Sequence, residues 1–302
     1  MRVQHRSGAL WMWNSAALRA AGLDSGGDGG DGRFWREDER LRGFTPPVRL
    51  DLRGVGARAA AYGITGFTDA DPHPGQDLPE LLPQRLVVMG IGDAPVKFLL
   101  DDATLPTPGE LAASVAAVRP RPVAVHCVTR VQLLVTLLAL EEAGPVAGDR
   151  IEHGSVIPAE TMPWLARLGV TVVTQTHFPV ERGREYATDV DPDDQAHLYR
   201  CRSLTDAGIP LAAGSDAPYG SADPWAVMRA AVERSGGEAV DRRAALDLFA
   251  GEHQRPSRAR RLMVGAVADL CLLHVPLKEA LDLMSAVVRA TFVGGLRITP
   301  PE

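Results

Sequence analysis

Residues 122–156, PVAVHCVTRVQLLVTLLALEEAGPVAGDRIEHGSV, carry the pattern that decides the fold. A short β-branched run (PVAVHCV) passes into a long apolar helical stretch and then into a second short run (RIEHGSV). Two strands of this kind, separated by one helix, must lie parallel, because an antiparallel pair needs no such crossover. Each run also ends in histidine, His126 and His153. In a barrel of parallel strands all such ends open on one face, where functional residues gather.

Working outward, the same alternation runs from about residue 50. GITGFTDA (63–70), RLVVMGI (85–91) and PVKFLLD (95–101) read as strands before the central pair. TVVTQTHF (171–178) and IPLAAGSD (209–216) read as strands after it. Helical patterns separate most of them, among them TPGELAASVAAV (107–118), where Thr107 and Glu110 have capping-box spacing and Pro108 takes the first position. The expected fold is α/β: a TIM-like (β/α)8 barrel lacking its first strand, with the remnant of a small β-sandwich at the C-terminus. Seven strands are counted, and RVQHRSG (2–8) is a poor eighth. Residues 1–260 are assigned to the barrel, with its strands 2–8, and residues 261–302 to the sandwich segment, where ADLCLLHV and AVVRATFVGGLRI follow one another without a comparable helix. The glycine-rich DSGGDGGDG (24–32) neither follows a strand nor opens a helix, so it reads as a solvated connector.

Composition narrows the function. A net charge of −6 gives no sign of electrostatic capture of nucleic acid or an anionic membrane, and no apolar run reaches membrane-span length. Cys127, Cys201 and Cys271, odd in number and without a CxxC pair, read as free thiols of a cytoplasmic protein. Of 32 basic residues only Lys97 and Lys278 are lysine. Lys97 interrupts an apolar strand, where an ammonium is costly, yet an amine supports chemistry that a guanidinium does not.

Lys97, His126, His153 and Asp216 thus stand in order at or just past successive strand ends. Any one alone reads as a hydrogen-bonded core residue or a turn former; four in order read as a site. Imidazoles and carboxylates bind a divalent metal, zinc first, with a position left for water. Activation of that water makes it a nucleophile, and Asp216 is the candidate to align it and carry its proton to a leaving amine. His177, and Arg182 and Arg184 beyond it, are candidates for substrate contact from the next loop, the arginines for an anionic group; His5 either joins a substrate pocket or caps a strand. The remaining histidines, His73, His197, His253 and His274, read as structural or solvent-exposed.

These segments resemble the amidohydrolase superfamily, in the branch around N-substituted formamide deformylase. The resemblance rests on HRSGALWMWNSAAL, GITGFTDA, VKFLLDD, VAVHCVTR, RIEHGS, VVTQTHFP, AAGSDAPYGSADPW and the tail VGAVADLCLLHV with VVRATFVGG. It implies hydrolysis of a non-peptide carbon–nitrogen bond in a small amide or formamide. It also implies that Lys97 is a carboxylated, metal-bridging lysine, that His126 and His153 hold one metal, and that Asp216 binds the other and shuttles the proton. The superfamily's HxH pair on a first barrel strand has no counterpart, since no two histidines here are two apart. The chain is therefore expected to be a fragment or a late-started version of a longer protein. The alternatives are a catalytically impaired homologue serving as a binding or assembly module, and a metal-free barrel with Lys97 as a Schiff-base nucleophile. The partner expected is a small-molecule substrate, with a homo-oligomer left open.

Overall fold

The computed structural model describes residues 1–5, 10–23, 30–44, 51–71 and 81–299. His73, residues 6–8 of RVQHRSG and residues 24–29 of the glycine-rich connector lie outside the described residues. The chain forms two compact units, Met1–Asp51 and Leu52–Glu302.

In the smaller unit β1 (Arg2–Gln4), β2 (Leu10–Trp13) and β3 (Arg33–Trp35) make an antiparallel sheet in the order β1-β2-β3. RVQHRSG therefore begins a hairpin and is not a strand of the parallel system. Trp13, Leu18, Phe34 and Leu41 form the core of this unit, with the Trp13 and Phe34 rings edge-on at 5.3 Å. The Ser15–Ala21 helix starts where Asn14 accepts from the Ala17 amide and stops at Gly22, whose φ of 69° a side chain would resist.

The larger unit holds the seven expected strands: β4 (Gly66–Asp69), β5 (Arg85–Val88), β6 (Val96–Phe98), β7 (Val123–Cys127), β8 (Arg150–His153), β9 (Thr171–Thr174) and β10 (Leu211–Ala213). All their pairings are parallel. β6 to β10 form one sheet in chain order, and β4 pairs with β5 in a second. Among the described residues no strand pairing joins β5 to β6 or β10 to β4, so the wall is parallel β/α but its closure into a barrel is not seen.

Alternation along these strands sorts their side chains. Val123, Val125, Cys127, Ile151 and Val172 pack with the helices Pro108–Val118 and Arg130–Ala143 in the main core. Residues between them, Lys97, Ala124, His126, Arg150 and Glu152, turn to the opposite face. The capping box of the 107–118 stretch is present as read, Thr107 accepting from the Glu110 amide and Glu110 from the Thr107 amide. The carboxylate of Asp149, buried just before β8, accepts from Arg119 (2.7 and 2.8 Å) and from the Val123 and Val146 amides (both 2.9 Å). It thereby fixes the starts of β7 and β8 against each other.

At the C-terminus β11 (Leu270–Leu273), β12 (Val288–Val293) and β13 (Leu296–Arg297) make a three-stranded antiparallel sheet. Among the described residues of the larger unit no second antiparallel sheet accompanies it, so the expected sandwich is not shown. The sequence reading also missed a helix, Leu277–Leu283, between β11 and β12. The sheet is tied to the rest of its unit by the Thr291 hydroxyl, which donates to Ala60 O (2.6 Å), and by Asp269, which accepts from Arg85 (2.7 Å) and the Gly294 amide (2.8 Å). No helix among the described residues is long and apolar enough to cross a membrane.

Candidate functional site

The ends of β6 to β10 bring four of the predicted residues into mutual electrostatic range. His126 and His153 meet edge-on with ring centroids 4.5 Å apart. They belong to adjacent strands in which His126 pairs in register with Glu152. His153 ends β8 with φ at 69°, which turns its ring away from the outward course its register would give it. Its Nδ1 lies 2.9 Å from Gln175 Oε1 and 3.9 Å from Asp216 Oδ2. An amide oxygen only accepts, so Nδ1 carries the proton and Nε2 keeps its lone pair. Asp216 follows β10, also with positive φ (49°), and its side chain is 31% exposed.

Charge in this cluster follows from burial and proximity. Burial, together with the Lys97 ammonium, pushes His126 down to about 4, partly opposed by Asp101. Burial, the neighbouring His126 and Lys97 push His153 down to about 3. Both rings are neutral at pH 7. Burial raises the Asp216 carboxyl to about 6, against the pull of Lys97 and Arg182. Lys97 itself is only half-buried, so the strand does not sequester its amine as its apolar neighbours suggest.

The remaining candidates are placed differently. His177 is 2% exposed and burial pushes it down to about 4. It packs on Phe178 at 4.7 Å and lies beneath Gly220, where a Cβ would come within 2.2 Å of its Nε2. Arg182 stacks its guanidinium 4.6 Å over Phe178 and donates to Tyr219 O, which brings its charge beside Asp216. Arg184 is exposed on the Gly183–Asp189 helix. His5 belongs to the smaller unit, in the β1–β2 turn, where its amide donates to Leu10 O (2.7 Å). Cys127 faces the core beside Thr136 (3.3 Å) and lies off the site.

Gln175, the partner that fixes the His153 tautomer, was missed. The signal available was its position immediately past the last residue of β9.

The donor set suits a divalent cation: two neutral imidazoles, one of them oriented by an amide, with a carboxylate and an amine alongside. Among the described residues no three His, Cys, Asp or Glu side chains group closely enough to hold an ion, so the pair of imidazoles is the preformed part.

Comparisons with known proteins bear on the family and the fold. YtcJ of Bacillus subtilis (strain 168), named as an amidohydrolase, is 30% identical over 114 residues, which are 37% of this chain and 22% of that protein. An uncharacterized metal-dependent hydrolase from Pyrococcus furiosus shares the fold with a TM-score of 0.63 at 20% identity, over 80% of this chain and 64% of its own. An adenosine deaminase from Xanthomonas campestris does so with a TM-score of 0.51 at 17% identity, over 86% and 67%. The chain thus spans less than two thirds of the length of the first two. The amidohydrolase family model matches residues 50–298, a stretch that takes in every strand of the parallel sheets and all four clustered side chains. The chain belongs to the amidohydrolase family.

Proposed function

We propose that this chain is a metal-dependent hydrolase acting on non-peptide carbon–nitrogen bonds of small amides, formamides among them. The observation that carries the reading is the neutral His126–His153 pair at adjacent strand ends, with Asp216 beside it. His126 and His153 would hold the cation, with Asp216 and Lys97, the latter carboxylated, completing the set. When bound, the cation supplies Lewis acidity, which lets water ionise near neutral pH. Zinc is the ion we favour, since imidazole suits it and the similar adenosine deaminase structure has zinc bound.

The chain's own residues divide the remaining work. Gln175 holds His153 in one tautomer. Asp216, raised to about 6, would accept a proton from water and return it to a leaving amine. Arg182 lies beside Asp216 and offers a cation to an anionic group on the substrate; Arg184 and His5 are weaker candidates for the same contact. His177 meets substrate only if the 216–220 segment moves off it.

A second reading, a catalytically impaired homologue used for binding or assembly, is favoured by the lack of a third grouped ligand among the described residues. One experiment separates them. Purified protein is dialysed against zinc, its metal content measured, and formamide and acylamide hydrolysis assayed. The first reading expects close to one equivalent or more of zinc and turnover lost in His153→Ala. Protein that retains no zinc and turns over no amide leaves the second.

A further inference from the structure

The larger unit has three described non-glycine residues with positive φ: His153 (69°), Asp216 (49°) and Tyr199 (45°). Left-handed backbone costs an L-residue roughly 1–2 kcal/mol and persists where the surroundings impose it, often at functional sites. The first two belong to the cluster above. Nothing so far gives Tyr199 a task.

Its placement is tightly imposed. The Tyr199 amide donates to Ser155 O at 2.7 Å, Leu198 bridges Val156, and the Ile157 amide donates to His197 O at 3.2 Å. The segment is thus fastened to the loop that leaves His153. The Tyr199 ring is 2% exposed and meets Phe178 edge-on at 5.7 Å. Its hydroxyl lies 2.8 Å from that of Tyr186, which is half-buried on the Gly183–Asp189 helix. Asp216 lies close enough to act on both phenols, and Arg182 on Tyr186. The Tyr199 amide is held two residues past His153, and Phe178, against which its ring packs, also carries His177 and Arg182, so the pair borders the site.

We propose that Tyr186 and Tyr199 form a substrate-binding pair in which Tyr199 donates its hydroxyl proton to Tyr186 Oη and Tyr186 donates its own to the carbonyl oxygen of the amide. The buried Tyr199 hydroxyl also faces the Ser155 side chain, which can donate to it; when Tyr199 gives its proton to Tyr186, the Tyr186 proton stays available, and Tyr186 is the half-buried member that can present it to a ligand. Each bond in such a chain polarises the next, and a donor on the carbonyl oxygen gains strength as that oxygen takes up negative charge on attack. No proton changes owner. Tyr186 touches substrate, while Tyr199 is a positioning residue that acts through it.

This inference rests on the amide-hydrolase reading, and its test keeps the two apart. Acetohydroxamate, a carbonyl-bearing amide mimic, is titrated calorimetrically into the zinc-loaded full chain and its variants, with azide as a metal-binding anion that lacks a carbonyl. Tyr186→Phe is expected to weaken hydroxamate binding about 10-fold, and Tyr199→Phe about 3-fold, as loss of a hydrogen bond implies, while azide affinity and zinc content stay constant. Hydroxamate affinity unchanged in Tyr186→Phe overturns the inference alone. Parallel loss of azide affinity also overturns it, since the phenols would then act only on the architecture. Wild-type protein that binds zinc but no hydroxamate removes the hydrolase reading, and the inference with it.

Discussion

Gly220 has no room for a methyl group: a Cβ there would lie 2.2 Å from His177 Nε2, 2.5 Å from Phe178 Cε1 and 3.0 Å from Ser215 O. Because His177 is buried and Phe178 is held between Arg182 and Tyr199, neither ring can yield cheaply. Gly220→Ala is therefore expected to destabilise by about 1–3 kcal/mol, read from the midpoint of urea unfolding. The second residue to test is Gln175. Its amide oxygen is what fixes His153 Nδ1 as the protonated nitrogen, at 2.9 Å. If His153 ligates zinc, Gln175→Leu should weaken zinc binding about 10–100-fold, as removal of an orienting partner does, in a competition titration with a chromogenic chelator. An unchanged zinc affinity would mean that the tautomer is set by something else.

Between elements, the most consequential contact is Asp149, which is almost fully buried and spends its carboxylate on Arg119 and on two backbone amides. Asp149→Ala leaves Arg119 without its counter-charge and two amides without this acceptor, and is expected to cost about 3–5 kcal/mol, measurable as a fall in the thermal midpoint. The strands that this contact aligns were legible in the sequence because each is a compact β-branched run between helical patterns, and the 108–118 helix because Thr107 and Glu110 announce its start. β2 and β3 were not, since LWMW and RFW are short and their pairing spans a glycine-rich stretch that carries no local signal. The Leu277–Leu283 helix was hidden by its brevity. At the site, the strand-end positions of His126, His153 and Asp216 were legible from side-chain type and order along the chain, but the positive φ that turns His153 off its alternation and that Asp216 also adopts was not. The strand-end rule missed Gln175 and the Tyr186–Tyr199 pair, whose roles depend on positive φ and on loop contacts no periodicity encodes.

Over the whole molecule, acid stability should turn on the buried histidines and on two carboxylates that their partners keep ionised. Burial opposes ionisation of Glu238, but the Ser203 hydroxyl, the Ser203 and Cys201 amides and Arg200 outweigh it and leave its pKa lowered. Asp269 is likewise lowered, against burial, by Arg85, the Gly294 amide and His253. A depressed folded-state pKa stabilises above the ordinary carboxylate value and is lost as pH falls through the folded one. The melting temperature should begin to decline as pH falls below about 6.5, where the unfolded chain takes up protons that the buried His126, His153 and His177 do not, an effect the raised Asp216 offsets only in part; it should decline further below about pH 4 as the two carboxylates protonate, with that second fall shallower in Glu238→Gln. A protein with only two lysines also offers an unusually clean chemical readout. Lys278 is 79% exposed and serves as an internal standard, whereas Lys97 stands half-buried beside the imidazole pair. Brief treatment with an amine-acylating reagent, followed by mass spectrometry of the peptides, compares the reactivity of one side chain with the other in a single sample. A zinc-dependent drop in labelling at Lys97, with Lys278 constant, would report occupancy of the site with no substrate in hand.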